Sequence, residues 1–178
     1  AVPVPREIRT GWASKLAKLS MAALLFEAVS GLVITFAPFH AAIQWSVLVH
    51  TALGAATLLP LAWYGVRHWQ DYGRHAASHV LLLGYVGLLA LAVCSLSGMA
   101  LMAEGLFGTR TTGWLRQTHL VSTFAVLGTL LPHVLFAFLR VWRRGTAGAV
   151  AGFCAQTFGA TAAGLAAIAG LTVAYSGQ

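Results

Sequence analysis

The sequence predicts an all-α integral membrane protein, a four-helix bundle with a fifth transmembrane helix added to it. Three observations carry that expectation. Five apolar runs each reach the roughly 20 residues needed to cross a hydrocarbon core. Charged residues make up only 8% of the 178, with a mean hydropathy of +0.78, whereas a soluble domain carries about 25%. The basic residues stand at the ends of the apolar runs, as topology signals do. The net charge of +7 therefore gathers on no single face, and nucleic acid is not an expected partner.

Residues 1–19 are polar and basic, with Pro3 and Pro5 opposing regular structure at the start. They read as a cytoplasmic, interfacial lead-in and not as a retained signal peptide. The first span is expected at about 20–38, ending at Pro38. The second, at about 41–67, is expected to be interrupted by Pro60, and the third covers about 77–103. The fourth, about 112–142, closes on Arg140, Arg143 and Arg144, and the fifth covers about 149–174. Three segments follow: the lead-in 1–19, a four-helix bundle at 20–144, and an additional helix at 145–178 rich in small residues.

Orientation follows from the cations. Arg6, Arg9, Lys15, Lys18, Arg67, Arg74, Arg140, Arg143 and Arg144 fall on one side, and only Arg110 and Arg116 on the other. The positive-inside rule then puts the N-terminus in the cytoplasm and the C-terminus outside. Trp12, Trp69 and Trp142 mark the inner interface and Trp45 and Trp114 the outer one. The two cysteines, Cys94 and Cys154, lie within apolar runs, and neither belongs to a C-x-x-C-H motif for covalent haem attachment.

The fourth span holds the most informative pattern. His119 and His133 are fourteen residues apart, an advance of about 21 Å and a rotation about 40° short of four turns. Both imidazoles therefore share one face, one toward each side of the membrane. Two non-covalent b-type haems at different depths need axial imidazoles so placed. His50, near the outer end of the second span, pairs by depth with His119 as ligands of an outer haem. Gly54, one turn on, leaves room for a porphyrin edge. For the inner haem, His133 needs a second ligand, and two candidates stand. His68 is eighteen residues after His50, five whole turns, and shares its face. His79, at the start of the third span, lies at a comparable depth. Tyr64 holds the fourteen-residue position and is not a b-haem ligand, while His40 and His75 read as interfacial. The metal-ligating set is His50, His119, His68 and His133, with His79 the competitor.

The two halves also echo one another. SGLVITF from Ser30 precedes His50 by twenty residues, and SGMALMA from Ser97 precedes His119 by twenty-two. Both later spans contain LLP, at 58–60 and 130–132. Two helical hairpins of similar design pack as a four-helix bundle.

VSGL (29–32), LVHTALG (48–54), SLSGMAL (95–101) and the 119–133 histidine pair resemble the cytochrome b subunits of membrane-bound formate dehydrogenases and nickel-iron hydrogenases. The resemblance covers about 15–144. It implies four helices around two b haems, which link a periplasmic redox subunit or c-type cytochrome to the quinone pool. A bacterial-type inner membrane and a multi-subunit complex go with it. His50 and His119 match the family's outer-haem ligands, and His133 matches one inner ligand. The family's other inner ligand is a histidine early in the first span, where this chain has Ala17.

Glu27 lies mid-span, where an ionised carboxylate is costly. It is expected to be a neutral hydrogen-bonded acid, to pair with a base, or to relay protons to a quinone. Arg116, one turn before His119, suits an outer-haem propionate, and Arg67, Arg74 and Arg140 suit the inner side. Gly148 and Gly152 form a G-x-x-x-G, and Gly159 and Gly164 continue the small face, which suits docking to the bundle or to another subunit. The expected function is electron transfer across the membrane, with no catalytic domain of its own. The rivals are a single-haem protein and a haem-free anchor or proton or metal transporter subunit.

Overall fold

The computed structural model describes residues 11–73, 78–108, 110, 112–142 and 147–175. Within them the chain forms five α-helices: α1 (Lys15–Phe36), α2 (Ala41–Tyr72), α3 (His79–Phe107), α4 (Gly113–Trp142) and α5 (Ala147–Tyr175). All five are long and apolar enough to cross a membrane. The molecule is an all-α, multi-pass membrane protein, as the sequence predicts. Arg6, Arg9, His75, Arg74, Arg143 and Arg144 lie outside the described residues.

Surface and interior are reversed relative to a soluble protein. Leu59 is 80% and Phe107 89% exposed, while Ser30 and Ser97 are 1% and 4% exposed. Large apolar side chains suit contact with lipid, and small hydroxyl residues let helices approach closely while bonding to their own carbonyls. Ser30 Oγ does so to Phe26 O at 2.8 Å, and Ser97 Oγ to Cys94 O at 2.9 Å.

The helices pack as two tight hairpins, α1 with α2 and α3 with α4, and α5 lies along α1 and α2. Trp12 meets Phe153 edge-on at 4.9 Å, so α1 and α5 begin together. Trp45 lies 5.2 Å from Tyr175, so the start of α2 meets the end of α5. The fifth helix thus runs parallel to the first. Its contact is close: a Cβ on Gly164 would come 2.7 Å from the Phe26 ring, and Thr161 Oγ1 donates to Ala22 O at 3.4 Å. Gly148 and Gly152 face open space, so the G-x-x-x-G pair plays no part in this docking.

Two expected boundaries change. The first helix begins at Lys15, inside the lead-in, because Ser14 caps it by accepting the Ala17 N–H at 3.3 Å. The second runs unbroken through Pro60 to Tyr72, and the fourth through Pro132. Each proline removes one backbone donor, which a long membrane helix tolerates.

Candidate functional site

Four of the histidines singled out from the sequence come together as two facing pairs. His50 of α2 and His119 of α4 stand with ring centres 6.4 Å apart and planes at 82°. His68 of α2 and His133 of α4 stand 6.1 Å apart at 79°. His79 is exposed at the first position of α3, and His40 is exposed at the N-cap of α2. His68 is therefore the histidine that faces His133.

Hydrogen bonds fix which nitrogen each ring presents. His119 Nδ1 lies 2.9 Å from Cys94 O, and His133 Nδ1 lies 2.8 Å from Val80 O. A carbonyl only accepts, so Nδ1 carries the proton in both rings and Nε2 keeps its lone pair. His50 Nδ1 lies 2.8 Å from Glu27 Oε2 and 2.9 Å from Ser30 Oγ. That hydroxyl gives its own proton to Phe26 O, so it too accepts from His50. His68 has Nδ1 3.5 Å from the Tyr64 hydroxyl and its ring between Tyr64 and Tyr72, at 5.3 and 4.7 Å.

Glycines make the close approach possible. A Cβ on Gly98 would lie 3.0 Å from His119 Cε1, one on Gly84 3.0 Å from His133 Cε1, and one on Gly31 3.2 Å from His50 Cε1. On α3, Gly84 and Gly98 each stand four residues after the accepting carbonyl, of Val80 and Cys94. The spacing of Gly84 and Gly98 equals that of His119 and His133, so α3 presents one glycine-and-carbonyl seat to each histidine of α4. Gly54 has a different neighbour, since a Cβ there would lie 3.4 Å from Glu27 Oε2.

The charged candidates separate. Glu27 joins the outer pair through His50, and its Oε1 is buried with no hydrogen-bond partner among the described residues. Arg116 is exposed beside a shallow groove of about 370 Å³ shared with Gly113, Gln117 and Leu120. The Arg67 guanidinium lies over the Trp63 ring at 4.5 Å. Glu104 accepts from the Thr112 N–H at 2.7 Å and from its hydroxyl, tying the end of α3 to the start of α4 and so setting the entry to His119.

The arrangement suits a bis-imidazole metal centre at each level. With a metal–nitrogen bond of about 2 Å and about 1.1 Å from nitrogen to ring centre, two imidazoles across one metal have centres about 6.2 Å apart. Both pairs fall close to that spacing, and each ring has an oxygen within hydrogen-bond distance of Nδ1, the usual support of a ligating histidine. Among the described residues, no three His, Cys, Asp or Glu side chains gather as an ion site, and the histidines come in twos. The residues present thus fit the group that the spacing predicts.

Fold and site define a five-helix membrane protein with two facing histidine pairs at two depths. Comparison with protein-family models, curated proteins and solved structures finds no match to the chain.

Proposed function

We propose that this chain is a di-haem b-type cytochrome, the membrane subunit of a quinone-linked oxidoreductase, and that it carries electrons between a redox partner on the outer side and the quinone pool. The single observation that supports this reading most is the pairing of imidazoles at bis-ligand spacing twice over. His50 and His119 would hold the outer haem, and His68 and His133 the inner one. Bound haem supplies a one-electron iron centre at each level.

The chain's own residues supply the rest. Cys94 O and Val80 O hold His119 and His133 with Nε2 as the free nitrogen. Gly31, Gly84 and Gly98 let the rings sit against α1 and α3. The pairs share α2 and α4, so their separation is set by helix rise, about 21 Å along α4. Arg116 would meet an outer propionate, and Arg67 would serve the inner side. The resemblance to the cytochrome b subunits of formate dehydrogenases and nickel-iron hydrogenases agrees with this assignment, with His68 replacing the ligand missing at Ala17. The distribution of cations supports a cytoplasmic N-terminus, and the bacterial-type inner membrane goes with the resemblance.

Reduction of the purified protein in lipid vesicles by duroquinol, followed by reoxidation with external ferricyanide, tests the activity. A b-type absorption band that rises with quinol and falls with ferricyanide is expected. A band present but unresponsive to quinol would end the quinone assignment.

One observation favours a second reading. The Glu27–His50 contact joins a carboxylate and an imidazole within two apolar spans, as a haem-free proton-transfer subunit would require. Absence of haem from the purified protein would favour it.

A further inference from the structure

The repeat that relates the two hairpins also gives each of them a groove for a helix, and α5 lies on the first. Ser97 stands 67 residues after Ser30, and His119 stands 69 after His50. α5 packs on Ala22 and Phe26 of α1 and, through Tyr175, on Trp45 of α2. The same two steps lead from these residues to Leu89 and Val93 of α3 and Trp114 of α4. All three line a largely apolar groove of about 540 Å³ between α3 and α4, with Val86 and Val121 beside them. Beneath α5, Ala22 is 8% exposed, whereas its counterpart Leu89 is 68% exposed. The second hairpin thus repeats the seat of α5 with its bulky side chains open.

The helix that fits it is α5 of another copy. Gly148, Gly152, Gly159 and Gly170 lie within about 40° of one another around α5, and a Cβ on any of them would meet open space. Gly164, which packs on Phe26, is about 140° round from Gly159, so α5 has a second face as small as its first. α5 runs parallel to α1 and therefore to α3, since successive spans alternate in direction. Copies of one chain insert with one topology, so a neighbour's α5 meets α3 in the direction in which α5 meets α1. We propose that the groove between α3 and α4 receives the open glycine face of α5 from a second copy of this chain. Leu89 and Val93 then seat against glycine as Phe26 seats against Gly164, the close packing that joins helices in lipid. The contact joins unlike surfaces, so copies close into a ring or continue along the membrane. It rests on the helices alone and does not depend on what the histidines hold.

The test is disulfide trapping in native membranes, by copper phenanthroline, in a chain carrying Cys94→Ser and Cys154→Ala. With Leu89→Cys and Gly159→Cys together, a ladder of linked chains is expected on a non-reducing gel. Either cysteine alone should leave single chains, as should Gly159→Cys combined with Leu59→Cys, at an exposed position of α2. No ladder, or an equal one from the Leu59 pair, would overturn the proposal. Dimers from Leu89→Cys alone or Gly159→Cys alone would also overturn it, since like faces would then meet. Cys94 touches His119, so a second measurement leaves it in place. Two differently tagged copies with native cysteines, co-expressed and excised from the membrane in lipid discs, should co-purify, and Gly159→Leu in both should abolish this. Copies that separate without the substitution, or that co-purify in spite of it, would overturn the proposal.

Discussion

At the scale of single residues, the site depends on the absence of side chains as much as on their presence. Gly98 and Gly84 sit where any Cβ would lie 3.0 Å from an imidazole carbon, closer than ordinary contact. Gly98→Ala must shift the His119 ring by a few tenths of an ångström, straining its seat at an overpacking cost at the low end of about 1–3 kcal/mol. Haem retention in detergent should therefore weaken for the outer haem alone, whereas Gly105→Ala, facing open space, should leave both unchanged. The ring planes in each pair are nearly perpendicular, 82° and 79°. On the di-haem proposal, imidazoles held so nearly perpendicular would leave two ferric d orbitals close in energy, and the oxidised protein should give strongly anisotropic low-spin EPR signals. Ordinary rhombic signals from both would show that the rings turn when ligating. The histidines were legible in the sequence because helical periodicity converts spacing into shared faces. The glycine-and-carbonyl seats were equally periodic, but an intramembrane glycine has many uses and points to none until its partner helix is known. Glu27 was visible as a costly mid-span carboxylate, yet its partner could not be read, because the depth of a residue does not say which helix it faces.

At the scale of elements, the bundle is two hairpins and a buttress. α5 is held on α1 by small-residue packing, with Gly164 on Phe26 and Thr161 bonded to Ala22 O. Gly164→Val should displace it and lower the thermal midpoint in detergent, with an overpacking cost of about 1–3 kcal/mol. Gly159→Val, on the open face, should move the midpoint far less. Equal losses in the two variants would mean that α5 is held by other contacts. The length and order of the helices followed directly from hydropathy. Their ends did not: α1 starts at a Ser14 cap within a basic stretch, and α2 continues through Pro60. Capping and proline tolerance depend on a few local bonds that average hydropathy does not see. Docking was legible only in part: Gly164, on the small face read from the sequence, packs on Phe26, whereas Gly148, Gly152 and Gly159 of the same stretch face open space.

At the scale of the whole molecule, membrane character comes from the five apolar helices, and the proposed orientation rests on the cations between them. In a chain with Cys94 and Cys154 replaced, a single cysteine at Phe39 should react with an impermeant maleimide from outside intact cells. One at Gly11 should not, and the reverse pattern would invert the proposed topology. The two histidine pairs then lie at different depths on α2 and α4, and the proposal of transmembrane electron transfer depends on each pair holding its own haem. Haem content per chain, by pyridine haemochrome, measured side by side in wild type, His119→Ala, His68→Ala and His79→Ala, tests this most directly. The values expected are two, one, one and two. A wild type without haem, or a His79→Ala that loses one haem while His68→Ala keeps both, would contradict the account.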